Sequence, residues 1–253
     1  MDQMDNLNPL LSSFNKISLE ETKSKAELIA RFDEKYIIPA RLVEQILYAC
    51  KPDYDVLEIE NKRLLAYETV YFDTPDLHLY DAHHAGYLNR TKIRIRKYMD
   101  TGISFLETKV KNNKGFTVKS RMMLDESNVD PLKLLQLSPS RKNENINQSN
   151  LQASATVLYH RITLVNKNHP ERVTIDTGIE FMRKDERVKL KDYVIAEIKK
   201  ERKQHSAFKS SIQHLQIRPG AISKYCLAII HLYDNIKKNR FKPHLHLLNK
   251  KTN

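Results

Sequence analysis

With 253 residues the chain has the length for one sizeable core, and 43 Lys and Arg against 31 Asp and Glu leave a formal charge of +12, so its natural partners are anions: nucleic acid, an acidic membrane face or a phosphorylated small molecule. The two cysteines, Cys50 and Cys226, stand far apart and outside any metal or redox spacing, no run approaches the roughly 18 apolar residues of a membrane span, and the polar N-terminus lacks a signal layout. A soluble, cytoplasmic protein is expected. Five glycines, none in GxxxxGK or GxGxxG, together with the lack of HExxH, exclude a P-loop, a dinucleotide fold and that zinc-protease motif.

Residues 1–25, MDQMDNLNPLLSSFNKISLEETKSK, are polar with scattered apolar positions and read as a flexible arm or a short helix lying on the body. A single domain is expected over residues 26–236. Its first segment, Glu27 to Ile38, alternates as a strand does, and Pro39 opens an amphipathic helix through Ala49 with Leu42, Ile46 and Leu47 on one side. Further strand-like runs follow at about 64–73, 88–99, 103–111, 115–124, 156–166, 171–178 and 192–201, which makes roughly eight strands. Asp100-Thr101-Gly102 and Asn112-Asn113-Lys114-Gly115 join neighbours at hairpin lengths, so the strands form an antiparallel meander. Asp130 to Leu137 reads as a short helix and Ser138 to Ser154 as a mobile surface loop rich in Ser, Asn and Gln. Helical patterns occupy 204–215 and 221–237, and residues 237–253 form a basic C-terminal tail.

The chemistry lies in the alternation. In RTKIRIRKY, Arg90, Lys92, Arg94, Arg96 and Tyr98 share one strand face while Thr91, Ile93 and Ile95 share the other. Same-face neighbours are about 7 Å apart, within a Debye length of one another, so such a row repels itself unless an anion sits opposite. The pattern repeats: Glu107, Lys109 and Lys111; Lys119 and Arg121; Tyr159 and Arg161; Arg172 and Asp176; Glu197 and Lys199. Periodicity alone leaves two architectures open, an ordinary barrel with its charges outside and a barrel with its charges inside and its aliphatic outer face covered by the three amphipathic helices. In the second, cations in excess of carboxylates require a bound anion with many oxygens, for which phosphate chains are suited, and Glu107, Asp176 or Glu197 can hold a hard divalent cation. Without Trp, and with aromatics that do not interleave with the basic runs, specific nucleic-acid binding is not expected.

The stretch ETVYFDTPDLHLYDAHHAGYLNRTKIRIRKYMDTGISFLETKVKNNKGFTVKSR, followed by VLYHRITL, ERVTIDTGIEF, YVIAEIKKE and SKYCLAI, resembles the VTC (vacuolar transporter chaperone) domain family, the polyphosphate polymerase branch of the CYTH or triphosphate tunnel metalloenzyme superfamily, over about residues 27–230. The resemblance implies an α+β, mainly antiparallel fold, an eight-stranded tunnel β-barrel with flanking helices and inward-facing charges. It implies catalytic roles for Arg94, Arg96, Lys109, Arg161 and Lys224, phosphate binding at Lys35, Arg90, Lys92, Lys119, Arg121, Tyr159 and Ser223, and Mn²⁺ or Mg²⁺ at Glu197. Two positions depart from the pattern. His83 aligns with an Arg of the fungal polymerases, with Arg90 and Lys92 able to replace its charge, and Arg31 stands where the ExExK signature of the triphosphatase branch has an acid.

The expected activity is therefore transfer of the terminal phosphoryl group of ATP to a growing polyphosphate chain. The alternatives are an inorganic or nucleoside triphosphatase of the same fold and a non-catalytic polyphosphate-binding sensor. Any membrane partner would be a separate chain; the oligomeric state is not encoded in these patterns.

Overall fold

The computed structural model describes residues 7–25, 32–114, 116–124, 150–220 and 223–249. The chain order is α1 (Leu7–Ser12), β1 (Lys16–Ile17), α2 (Leu19–Lys25), β2 (Phe32–Pro39), a 3-10 turn (Ala40–Leu42), α3 (Val43–Cys50), β3 (Tyr54–Leu57), β4 (Leu65–Asp73), α4 (His78–Ala85), β5 (Arg90–Tyr98), β6 (Ser104–Lys111) and β7 (Thr117–Leu124). It continues with β8 (Gln152–Asn166), β9 (Glu171–Arg183), β10 (Glu186–Leu190), β11 (Tyr193–Lys200), α5 (Ala207–Gln213), α6 (Lys224–Leu232), a second 3-10 turn (Asn239–Phe241) and α7 (Lys242–Asn249). The helix expected at 130–137 and most of the loop expected at 138–154 lie outside the described residues; the last residues of that loop instead begin β8.

Eight strands form one continuous path in the order β2-β11-β9-β8-β4-β5-β6-β7, with β1, β3 and β10 attached beside it. All pairings along that path are antiparallel. The expected barrel is not closed by hydrogen bonds: among the described residues β2 and β7 end the path and do not pair with each other. The sheet nevertheless curls until side chains from both end strands line the same cavity.

Short-range chemistry places the turns as read. In the β5–β6 hairpin Gly102 takes φ +72° and donates to the Tyr98 carbonyl, while Asp100 accepts from the Ala66 amide at 2.7 Å and so ties the turn to β4. At the end of α4, Gly86 has φ +77°, and a Cβ there would lie 1.8 Å from Arg240 Nη1. Glycine is required by both the left-handed cap and the close approach of the C-terminal segment.

The helices cover the sheet on both sides. Ile38, Val173, Ile175, Val194, Ala196 and Ile198, which alternate with cavity-facing residues, form the convex face buried by α1, α3 and α5. The third expected cover, α6, lies elsewhere. Its Tyr225, Ile229 and neighbours cluster with Ile37, Tyr71, Val157, Phe181 and Ile195, residues on the concave face, so α6 fills one end of the barrel interior. That correction follows from its composition: Tyr225 to Ile230 is buried throughout, as a helix enclosed on several sides must be. The N-terminal segment is of the second of the two kinds expected, packed on the body with Leu7, Leu10, Leu11 and Phe14 buried against α3 and the sheet. In the C-terminal segment, read as a basic tail, Phe241 is buried beside Tyr80.

Candidate functional site

The concave face encloses a cavity of about 300 Å³ lined by Lys35, Lys92, Arg94, Arg96, Lys109, Lys119, Arg121, Arg161, Lys199 and Lys224 among its polar residues. Against these ten cations stand Asp33, Glu107 and Glu197 in the lining and Asp176 behind Arg161 and Lys224, an excess of six positive charges among the described residues. Of the two architectures the alternation allowed, the charges-inside barrel is the one observed.

Each carboxylate organises a set of cations. Asp176, 2% exposed, accepts both Nε (2.6 Å) and Nη2 (2.9 Å) of Arg161 and also binds Lys224 Nζ. Burial by itself pushes the Asp176 carboxyl up, but Arg161 and Lys224 outweigh it and hold the group below its ordinary value. Arg161 is thereby fixed in plane above the stacked pair Tyr67 and Tyr159. Glu107 accepts from Arg94 at 2.7 Å, with Arg121 at 3.5 Å and Arg96 at 3.8 Å. Glu197 on β11 lies 3.2 Å from Lys199 and 3.7 Å from Lys35, its cross-strand partner on β2. Burial raises its pKa, but Lys199 and then Lys35 keep the carboxyl well below the usual carboxylate range, so it is ionised.

The lysines register the repulsion between these cations. Burial, reinforced by Lys35, Lys109 and Arg94, pushes the Lys92 ammonium down to about 7. Burial lowers Lys109 and Lys199 as well. Lys92 donates to the Ser223 hydroxyl at 2.8 Å, and Ser223 in turn caps the N-terminus of α6. A positive charge at the first turn of a helix opposes the macrodipole, and Lys224 stands there beside Lys92. An anion at that point relieves both conflicts.

Eleven of the thirteen residues singled out from sequence line this one cavity: Lys35, Lys92, Arg94, Arg96, Lys109, Lys119, Arg121, Arg161, Glu197, Ser223 and Lys224. Two do not. Arg90 bonds the Tyr87 carbonyl at 3.2 Å and lies outside the lining, because β5 leaves the cavity at its first residue. Tyr159, 2% exposed, forms the floor under Arg161 and Lys224, and its hydroxyl has no hydrogen-bond partner among the described residues. His83 is kept uncharged by burial and by Lys92 and Arg90, so the imidazole contributes no charge to this corner of the site. Lys199, already paired with Glu197 by the alternation, also lines the cavity; Asp33 was not named, and extending the period of two by one step from Lys35 finds it.

The model of the VTC domain matches residues 30–233, which include every residue of this lining. The chain belongs to the VTC domain family. Solved structures similar to this VTC domain include a predicted adenylate cyclase of Bacillus halodurans, with a TM-score of 0.49 and 14% identity over 81% of this chain and 98% of that one. Another is a predicted adenylate cyclase of Vibrio parahaemolyticus, at 0.47 and 12% over 79% and 98%. A third is a predicted adenylyl cyclase of Hippeastrum described as having a dominant triphosphatase activity, at 0.46 and 13% over 80% and 97%. No curated protein matches the sequence. Among the described residues no helix of the VTC domain is long and apolar enough to cross a membrane.

Proposed function

We propose that this VTC domain is a metal-dependent polyphosphate polymerase that transfers the terminal phosphoryl group of ATP to a polyphosphate end within its cavity. The observation that carries this reading is the uncompensated excess of cations on one enclosed face, which only a ligand with many anionic oxygens satisfies. Arg161, held bidentately by Asp176, and Arg94, held by Glu107, present guanidinium groups whose orientation is set before substrate arrives. Lys224 and Lys92 add charge at the α6 terminus, where helix amides also favour an anion. Together they offset charge on the transferring group while a phosphate oxygen of the acceptor chain attacks in line and ADP leaves.

Glu197, now paired with Lys199 and Lys35, would be the carboxylate that holds Mn²⁺ or Mg²⁺. Its carboxylate is ionised, and Asp33 lies diagonally from it across β2 and β11 in the same lining. Hard cations of this kind take one or two carboxylates and complete their shell with phosphate oxygens and water. When bound, such an ion would supply positive charge that offsets the charge of the phosphate groups. Protein nucleophiles have no part in this scheme: burial pushes the Cys226 thiol up, and the Ser223 hydroxyl is engaged by Lys92 and the Cys226 amide.

Hydrolysis of a triphosphate by water is the second reading, favoured by Asp33, a second carboxylate facing the same cavity as Glu197. Incubation with ATP and Mn²⁺, with and without a short polyphosphate primer, separates the two. A ladder of long-chain product alongside ADP is expected; phosphate release with no ladder would replace the polymerase by the triphosphatase, and tight polyphosphate binding with no turnover would replace both by a sensor.

A further inference from the structure

The concave faces of three neighbouring strands change character at the same end. Along β5 the series Lys92, Arg94, Arg96 ends in Tyr98; along β6 Lys109 and Glu107 end in Phe105; along β7 Lys119 and Arg121 end in Met123. Register makes these ends neighbours, since Phe105 pairs with both Arg96 and Met123. Tyr98 and Phe105 meet edge to face at 5.8 Å, and Tyr98 leans on Tyr67 at 5.0 Å. This is the end remote from α6, whose terminus bonds Lys92 at the other end of the β5 series.

Arg121 closes the group. Its guanidinium carbon lies 3.6 Å from the Phe105 ring centre, Nη2 donates to the Tyr98 hydroxyl at 2.9 Å, and Nε lies 3.5 Å from Glu107. With one face on a ring and two edges engaged by the protein, this guanidinium is a held plane rather than a free fork for phosphate, and its side chain is still 48% exposed. Beside it Met123 is 66% exposed, a large apolar side chain left in water two residues from Arg121 on the same strand face. Inorganic phosphate has no use for such a wall. A planar, partly apolar group attached to a phosphate chain does, because guanidinium planes stack on nucleobases and a thioether covers their edge.

We infer that this rim is a nucleobase subsite: the base of a nucleoside triphosphate stacks on Arg121 between Phe105 and Met123, with its phosphates running inward toward Arg161 and Lys224. The inference rests on the phosphate-binding reading of the cavity and adds where the base of the nucleotide donor is held.

Titration calorimetry with ATP and with inorganic tripolyphosphate, on wild type, Phe105→Leu and Met123→Ala, tests it. Phe105→Leu removes the ring that holds the Arg121 plane, so the affinity for ATP falls about tenfold, the scale of one lost base stack, while that for tripolyphosphate changes less than about twofold. Met123→Ala, at an exposed position that cannot perturb folding much, shows a smaller loss of the same selectivity. Equal losses for the two ligands, or none, would overturn the subsite and leave the phosphate cavity standing; a wild-type protein that binds neither ligand would overturn the cavity reading together with it.

Discussion

On the proposed function, Glu197 and Lys92 are the residues whose charge states matter most. Glu197→Gln keeps the shape of the side chain and removes its charge, so metal-dependent turnover is expected to fall to background while the circular dichroism spectrum is retained; turnover at the wild-type level would remove Glu197 from the metal site. For Lys92 the sign of the pH effect follows from its depressed pKa of about 7. Above that pH the free side chain is neutral, and a polyanion that raises its pKa must recruit a proton to bind. Affinity for tripolyphosphate is therefore expected to be flat below about pH 7 and to fall by up to about tenfold per unit above it, with proton uptake detectable by calorimetry in buffers of different ionisation enthalpy. In Lys92→Met both the uptake and that slope should disappear. These residues were legible because β5 and β11 alternate strictly; Asp33, two residues before Lys35 on β2, follows from the same alternation but was not named.

At the scale of elements, the position of α6 decides what Lys224 and Ser223 can reach. Asp73 at the end of β4, fully buried, accepts the amides of Thr74, Leu79 and Tyr80 at 2.8–2.9 Å and the hydroxyl of Tyr225 on α6, so one carboxylate joins the start of α4 to the first turn of α6. Asp73→Ala leaves those buried donors without a partner and is expected to cost about 3 kcal/mol, measured by urea denaturation, and to weaken tripolyphosphate binding by freeing the α6 terminus. An unchanged unfolding midpoint would show that the junction contributes nothing. The pattern Asp-Thr-Pro-Asp at 73–76 marks a turn, but nothing in it names Tyr225, about 150 residues away, as the fourth partner.

The whole molecule encloses a cation-rich cavity, and the proposed function predicts that a polyanion relieves the repulsion inside it. Tripolyphosphate at about a hundredfold excess over its Kd is expected to stabilise the fold by about 2.7 kcal/mol, a rise in Tm on the order of 5–10 °C for a chain of this size. Raising chloride to about 0.5 M should shrink that rise, because the exposed part of the attraction is screened over less than about 8 Å. A Tm insensitive to tripolyphosphate would contradict a cavity built for polyanions. Sodium sulfate at the same ionic strength serves as the control for general anion effects.

The eight strands of the main path, their approximate limits and the set of residues sharing each strand face are legible in the sequence by itself, because a period of two and a few glycine turns are local properties of the chain. So are eight of the residues that line the cavity, Lys92, Arg94, Arg96, Lys109, Lys119, Arg121, Arg161 and Glu197, whereas Lys35, Ser223 and Lys224 were named only through the resemblance to the VTC family. Which face points inward is not, since alternation is symmetric between the two sides of a strand and the choice rests on where the helices pack. The same limit applies to the open edge between β2 and β7, to α6 inside the barrel and not on its surface, and to the meeting of Tyr98, Phe105, Arg121 and Met123 at one rim. Each depends on register and curvature, which arise from contacts between segments far apart in the chain and leave no periodic trace within any one of them.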